Sequence, residues 1–159
     1  GAYDELLFLD HANKGLKMHS YIPKIYVSSQ ASVDEGRYHW GIPKELAQFE
    51  WYLSPDRLSC QISVNNEMLK IQLNFSQKSL PIPISSRIFP AQFFKIEQQD
   101  QQYRYQFSPH FKGHLAYISH AEWQDTQNIF PDLSQASFMK GFYSKDFQLI
   151  FPEALKTAI

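Results

Sequence analysis

The sequence predicts a mostly β fold, one domain over residues 1–159 whose many antiparallel strands close on themselves or pack as a sandwich. Three observations favour this fold. Aromatic residues make up 16% of the chain, including 13 Phe and nine Tyr, and large rings pack well across a pleated sheet. Segments in which apolar and polar side chains alternate recur along the chain, and clusters of turn-forming residues separate them. A chain of 159 residues is also long enough to bury a core of its own.

The best-defined element is a β-hairpin. Residues 58–64 and 68–75 alternate apolar with polar side chains, the two-residue period of a half-buried strand. Asn65 and Asn66 lie between the two runs and favour a tight turn, so the two strands pair. Each strand has one polar face, so one side of this sheet meets water. Cys60 falls on an inward position, which predicts a structural role for its thiol.

The other elements are predicted from similar signals, taken in chain order. Further strands are expected at 3–9, 21–27, 49–53, 89–96, 103–107, 114–123 and 142–151, the one at 89–96 after an irregular start. Turns are expected at 11–15, 54–57 and 98–102, an extended segment at 80–84 and a loop at 128–133. Pro23 predicts an edge or a bulge in its strand, because proline has no amide hydrogen to donate, and Pro152 ends the last strand before a short tail. A short helix is expected at 28–35, capped by Ser28 or Ser29 and ended by Gly36.

Charge and composition exclude several classes of partner. The formal net charge is −1, so the chain as a whole attracts neither nucleic acid nor an anionic membrane surface. No apolar run in the sequence reaches the length that spans a bilayer. The single cysteine, Cys60, excludes an intramolecular disulfide and fits a reducing compartment. We therefore expect a cytoplasmic protein without nucleic-acid or membrane partners.

The histidines and glycines do not form a recognisable metal or cofactor motif. His114 and His120 would share one strand face but lie about 20 Å apart along it, too far to bind one ion together. The sequence has no His-Glu-x-x-His pattern, no glycine-rich phosphate loop and no Gly-x-Ser-x-Gly nucleophile motif. We therefore expect neither a metal nor a cofactor.

Residues 35–47 combine two glycines, a proline and large aromatic side chains around one lysine. We expect this segment to be too irregular for a simple helix or strand, with Pro43 fixing the backbone just before Lys44. Apolar neighbours such as Trp40 and Ile42 are expected to enclose the amine. Desolvation disfavours an ammonium ion, and a neutral amine is a nucleophile. The alternative is an ordinary exposed lysine after a turn, and local composition leaves both interpretations open.

A carboxylate near such an amine takes up and returns protons when a lysine forms an imine. Glu5, on the first predicted strand, is the candidate for this role. The alternative is that Glu5 is an ordinary exposed residue of that strand, and composition alone does not choose between the two interpretations.

Residues 21–47 resemble the acetoacetate decarboxylase family. The shared features are a strand that ends in Tyr26-Val27, an alanine-containing helix, the Gly36-Arg37 pair and the Gly-x-Pro-Lys-x-Leu-Ala pattern of residues 41–47, matched without a gap. Residues 3–5, Tyr-Asp-Glu, look like that family's Tyr-x-Glu entry to its first core strand. Residues 120–123 and 147–152 are similar but much less specific.

The resemblance implies an enzyme that acts on a small keto acid or a related carbonyl compound. It makes Lys44 the Schiff-base lysine and Glu5 the active-site glutamate, with decarboxylation as the default among the reactions that share the imine. Substrate-binding residues would be Tyr26, Trp40 and Ile42, and structural residues near the site would be Arg37, Pro43 and Glu45. The implied fold is a barrel- or cone-like antiparallel sheet with short helices, assembled as a homo-oligomer.

Two departures from the family pattern favour a second hypothesis. Glu45 stands where the decarboxylase has a second lysine, so adjacent positive charge cannot activate Lys44, and a nearby carboxylate would favour the ammonium form. The family's N-terminal segment, which supplies an arginine and a further glutamate, has no counterpart here, so the sequence is expected to be N-terminally incomplete relative to the family. The second hypothesis is a non-catalytic β-barrel domain that binds a small apolar or carbonyl ligand.

Overall fold

The computed structural model describes residues 2–14, 17–75, 80–125, 129–130 and 136–159, with residues 12–14 and 17–19 described by their backbone alone. The mostly β class is confirmed, with two sheets and one α-helix among the described residues. The helix, α1, is Gln30–Trp40. The strands are β1 Glu5–Lys14, β2 Lys17–Val27, β3 Lys44–Leu46, β4 Gln48–Leu53, β5 Arg57–Val64, β6 Glu67–Phe75, β7 Ile82–Ser85, β8 Ile96–Gln99, β9 Tyr103–Phe107, β10 His110–Asp125, β11 Gly141–Tyr143, β12 Gln148–Ile150 and β13 Leu155–Ala158. Neither sheet is closed among the described residues, so of the two predicted arrangements, closed or sandwich-like, closure is not found.

The chain divides into two compact units. The first comprises Gly1–Leu46, Ser85–Lys112 and Gln148–Ile159, and the second comprises Ala47–Ile84 and Gly113–Phe147. A single domain over the whole chain stays a prediction.

The first unit is built on the sheet β1-β2-β8-β9-β13, with β3 paired in parallel to β2. Its core forms where α1 packs on this sheet. The buried side chains of this core are Ile22, Ile25, Val27, Val33, Ile42, Ile96 and Phe107. The predicted bulge at Pro23 is confirmed, because the β1–β2 register shifts between Phe8 and Asp10, opposite that proline.

The first two strands are longer than the sequence predicted, and they pair with each other. The expected turn at 11–15 is wrong for residues 11–14, because β1 continues in register with β2 as far as the pair Lys14–Lys17. Pairing with a long partner strand overrides the local turn preference of a polar stretch. Gly15, the glycine of that predicted turn, lies outside the described residues.

Helix α1 begins as predicted and ends later. Ser29 is the N-cap, and its hydroxyl accepts a hydrogen bond from the Ser32 amide. The predicted end at Gly36 is wrong, and so is the expectation that residues 36–40 are irregular, because the helix continues to Trp40. It ends at Gly41, whose φ of 61° is the left-handed conformation in which glycine is favoured.

The second unit contains the sheet β11-β10-β6-β5-β4, an antiparallel arrangement of neighbouring strands. The predicted hairpin is confirmed as β5–β6, paired from Arg57–Asn74 to Val64–Glu67. Asn65 and Asn66 have φ values of 48° and 70°, the positive values that a two-residue hairpin turn with the right twist requires. Cys60 is buried on β5, as predicted.

Three predictions for the C-terminal half are wrong. The strand predicted at 89–96 after an irregular start is wrong except at its last residue, because residues 91–94 form a 3₁₀ turn and β8 begins only at Ile96. Residues 142–151 form parts of two short strands, β11 and β12, because Asp146 turns the chain to bond the His114 amide and ring. The tail after Pro152 is the strand β13, paired with β9. Most of the loop predicted at 128–133 lies outside the described residues.

No helix among the described residues is long and apolar enough to cross a bilayer. The described part of the chain also holds no group of three or more His, Cys, Asp or Glu placed to bind a metal ion. The cytoplasmic location stays a prediction.

Candidate functional site

Lys44 is a buried lysine in the first unit. It opens β3, which lies in parallel beside β2 with Lys44 paired to Ile25. Only 4% of the residue is exposed, so its ammonium group is held away from bulk water. A lysine so buried requires a charged or polar partner, because an isolated charge inside a protein is strongly disfavoured.

Glu5 is brought to Lys44 by the register of three strands. On one side of β2, Glu5 pairs with Val27, and on the other side Lys44 pairs with Ile25. Residues two apart on a strand point to the same face, and paired residues share that face. Glu5 and Lys44 therefore project from the same side of the sheet, across the β2 strand that separates them.

The Lys44 amine makes two hydrogen bonds. Nζ donates to Glu5 Oε2 at 2.8 Å and to Ser32 Oγ at 3.0 Å. The Glu5 side chain is 20% exposed, so the pair is screened only in part by solvent. The amine also lies 5.3 Å from the centre of the Tyr3 ring, within the range of a cation–π contact.

Gly36 makes room for this lysine. A β-carbon at Gly36 would lie 2.5 Å from Lys44 Cδ and 2.7 Å from Cε. A β-carbon at that distance would force the methylene groups of Lys44 to shift. The helix can therefore pass this close to Lys44 because residue 36 has no side chain. The Gly36-Arg37 pair, which carries part of the family resemblance, therefore has a packing reason in this chain.

The backbone at Lys44 is fixed by two of the predicted structural residues. Arg37 Nε donates to the Lys44 carbonyl at 2.9 Å, which ties α1 to β3. The Lys44 amide donates to the Ile42 carbonyl at 2.8 Å, closing a three-residue turn with Pro43 at its centre. These bonds position the start of β3 and hence the α-carbon from which the Lys44 side chain extends.

Glu45 is directed away from the Lys44 amine. Neighbouring residues of a strand point to opposite faces, and Glu45 Oε1 accepts a hydrogen bond from Lys24 Nζ at 2.6 Å. This bond to Glu45 raises the pKa of Lys24, against a smaller effect of burial in the other direction. The Glu45 carboxylate, although next to Lys44 in sequence, is thus paired with Lys24.

The predicted substrate-binding residues are dispersed. Tyr26 is buried on the opposite face of β2, where the Lys24 amine lies 5.3 Å from its ring centre. Trp40 Nε1 donates to the Pro152 carbonyl at 2.7 Å, and its ring packs against Phe151. Ile42 is fully buried in the core of the first unit. Of the predicted catalytic residues, Lys44 and Glu5 are brought together by a hydrogen bond.

Ser32 is the site residue that the sequence did not reveal. It lies in the first turn of α1, one helical turn before Gly36, and residues four apart share a helix face. The same face therefore offers a hydroxyl to the amine and an open space to the lysine stem. A serine four residues before the glycine of a Gly-Arg pair is a spacing that could have indicated this contact.

The arrangement can move a proton to and from a buried amine. Lys44 supplies the amine, the Glu5 carboxylate is within proton-transfer distance, and the Ser32 hydroxyl can accept from the nitrogen or donate to it. An amine in contact with a carboxylate base can pass from ammonium to nucleophile without an exchange with bulk water.

A sequence profile of the family described as acetoacetate decarboxylase (ADC) matches residues 1–125. Curated protein sequences give no significant match.

Solved structures with the same fold cover nearly the whole chain. Acetoacetate decarboxylase from Legionella pneumophila is 11% identical, with a TM-score of 0.68 over 99% of this chain and 68% of that one. An acetoacetate decarboxylase-like enzyme from Sphingomonas wittichii RW1 is 10% identical, with a TM-score of 0.64 over 98% of this chain and 69% of that one. The enduracididine biosynthesis enzyme MppR, solved in complex with pyruvate, is 12% identical, with a TM-score of 0.54 over 98% of this chain and 64% of that one. At these identities the likeness shows the fold, and this chain spans about two thirds of the length of these proteins.

Proposed function

This chain belongs to the acetoacetate decarboxylase family, and from that premise we propose that Lys44 forms a Schiff base with a small keto acid or a related carbonyl compound. The observation that carries the proposal is the buried Lys44 amine, bonded to Glu5 at 2.8 Å. The comparison with MppR, solved with pyruvate bound, supports the keto-acid class.

Glu5 is the base that deprotonates the Lys44 ammonium. The ammonium of Lys44 gives a proton to the Glu5 carboxylate, and the freed nitrogen lone pair attacks the ketone carbon of the substrate. That proton and a second one from the nitrogen pass to the former ketone oxygen, which leaves as water when the carbon–nitrogen double bond forms. The amine thereby becomes a protonated imine, which is a sink for an electron pair.

Decarboxylation follows because the protonated imine can accept an electron pair. When the carboxylate lies on the carbon next to the imine carbon, the carbon–carbon bond breaks, its electron pair moves toward the nitrogen, and carbon dioxide leaves. The enamine that remains takes a proton on carbon, and water then releases the ketone product and restores Lys44. Aldol and dehydration reactions pass through the same imine, and the choice between them depends on the substrate.

A non-catalytic domain that binds a small apolar or carbonyl ligand is the second candidate. The observation in its favour is the ion pair itself, because a nitrogen that carries three hydrogens and is bound to Glu5 has no lone pair to attack a carbonyl. The homo-oligomer that the resemblance implies is compatible with either candidate, and light scattering of the purified protein measures it.

Borohydride trapping separates the two candidates. The protein is incubated with pyruvate, acetoacetate or acetone, reduced with borohydride, and digested for mass spectrometry. We expect a stable adduct on Lys44 and none in K44R, which keeps the positive charge but cannot form the imine. K24R is the matched control, because Lys24 is also paired to a glutamate but is more exposed. An adduct spread over surface lysines, or no adduct on Lys44 with any of the three ketones, contradicts the Schiff-base function and leaves the binding domain.

A further inference from the structure

A groove lies in the first unit, and Lys44 is not among its lining residues. The groove has a volume of about 390 Å³ and is formed by the 3₁₀ turn Ser86–Ile88 and by the strands β10 and β12. Its main lining residues are Arg87, His110, Lys112, Gln148, Phe111 and Ile150. The volume is in the range of pockets that hold a small molecule.

Strand pairing places the polar residues of the groove on one face. His110 pairs with Ile150 and Lys112 pairs with Gln148. His110 and Lys112 are two residues apart on β10, so both project from the same side of this two-stranded ladder. One face of the ladder therefore carries an imidazole, an ammonium, an amide and an aliphatic side chain.

Arg87 is held beside this face by the backbone of its own turn. The Ser86 hydroxyl accepts a hydrogen bond from the Phe111 amide at 3.1 Å, which fixes the 3₁₀ turn against β10. The Arg87 amide in turn donates to the Ser85 hydroxyl at 3.3 Å. The backbone position of Arg87 is thus fixed by two hydrogen bonds, one of them to the strand that carries His110 and Lys112.

Among the residues that the structure describes, the basic side chains of the groove have no carboxylate partners. No Asp or Glu is among the groove-lining residues. Within the described part of the chain, none of Arg87, His110 and Lys112 forms an ion pair. Two partly exposed lysines of the same unit do have such a partner, Lys24 in Glu45 and Lys95 in Glu97. Like charges gathered in a concave site repel one another unless an anion lies between them.

We propose that this groove binds the oxyanion of a small organic acid, a phosphate monoester or a carboxylate. The guanidinium of Arg87 donates two parallel hydrogen bonds to the oxyanion, and the Lys112 ammonium and the His110 ring add charge and a further donor. The apolar portion of the ligand lies against Ile150. This site is separate from Lys44 chemistry and stands whether or not Lys44 forms an imine.

Nuclear magnetic resonance titration of the ¹⁵N-labelled protein tests the site. Phenyl phosphate and benzoate carry the two oxyanions on the same ring, and benzyl alcohol is the neutral probe. We expect saturable shifts of the Ser86 and Phe111 amides with at least one anion and none with benzyl alcohol. The anion that binds more tightly identifies the class of natural ligand.

Charge-removing variants locate the binding. R87Q and K112Q are each expected to weaken binding of the preferred anion by about fivefold or more. K145Q removes the same charge from an exposed lysine of the second unit and is expected to leave the affinity unchanged. The proposal is wrong if no probe gives saturable shifts, if benzyl alcohol binds as well as the anions, or if K145Q weakens binding as much as R87Q. Two variants are used so that a fold defect in one leaves the other as the test.

Discussion

The α-carbon of Gly36 faces the side chain of Lys44 so closely that a β-carbon there would lie 2.5 Å from Lys44 Cδ. Glycine inside a helix costs about 1 kcal/mol relative to alanine. The chain carries this cost at Gly36 because the helix must pass over a buried lysine. Helix α1 and the Lys44 side chain are therefore one packing unit.

G36A is expected to destabilise the protein by about 1–3 kcal/mol, because its methyl group overlaps the lysine stem. In a K44A background the stem is gone, and G36A should instead stabilise the helix by up to about 1 kcal/mol. Urea unfolding of the four proteins measures both effects. Equal destabilisation in the two backgrounds would show that the methyl group clashes with something other than Lys44.

E5Q is expected to lower the free energy of unfolding by about 3 kcal/mol, since it leaves the Lys44 ammonium buried without a counter-charge. E45Q is the matched control, with the same substitution in the Lys24–Glu45 pair, whose side chains are 31% and 39% exposed. Its cost should stay below about 1 kcal/mol because solvent screens an exposed pair. Urea unfolding compares the two variants, and a loss in E45Q as large as in E5Q would contradict the assigned role of burial.

S32A is expected to slow borohydride trapping at Lys44 by about tenfold, because the amine loses the hydroxyl at 3.0 Å that orients it. S29A is the control from the same helix end. It removes the N-cap and lowers the free energy of unfolding by about 1 kcal/mol without touching the amine. The trapping rate should therefore fall in S32A and not in S29A. If both variants trap at the wild-type rate, Ser32 has no part in positioning the amine.

Alkaline pH is expected to destabilise the fold through Tyr105. Burial, together with the hydrogen bond that its hydroxyl donates to Asp100 at 2.7 Å, raises the pKa of Tyr105 to about 12. Between pH 10 and about 12 the unfolded chain has released this proton and the folded chain still holds it, so the free energy of unfolding falls as the pH rises.

Y105F separates this effect from the titration of other groups. Unfolding measured from pH 9 to pH 12 should show a steeper loss of stability in the wild type than in Y105F, because phenylalanine has no proton to release. Parallel curves for the two proteins would mean that Tyr105 ionises in the folded chain as readily as in the unfolded one.

Local sequence signals predicted the elements whose structure depends on local contacts. Asn65 and Asn66 fix the β5–β6 hairpin because positive φ values are a property of those two residues and their turn. Ser29 caps the helix through a bond to the Ser32 amide, three residues away. The same kind of signal is wrong at Gly36: glycine often ends a helix, but α1 continues through Gly36 to Trp40. The role of Gly36 as a space for Lys44 depends on packing between elements.

The C-terminal predictions failed for a related reason. The break between β11 and β12 follows from Asp146, which bonds the His114 amide at 3.0 Å and the His114 ring at 2.7 Å. Those two residues lie 32 positions apart in the chain. The alternation of apolar residues around them is compatible with one continuous strand, and only the distant partner decides otherwise.

The sequence by itself determined the class of the fold, the β5–β6 hairpin and the identity of Lys44 as the residue to examine, because strand periodicity, turn residues and a short motif are local. The tertiary structure alone decided what surrounds that lysine. Glu5 lies 39 residues away along the chain and reaches the amine only because both flank β2 on one face. Glu45, the next residue, is turned to the other face by the two-residue alternation of β3. The partners of a buried charge are set by strand register, which is a property of the whole sheet.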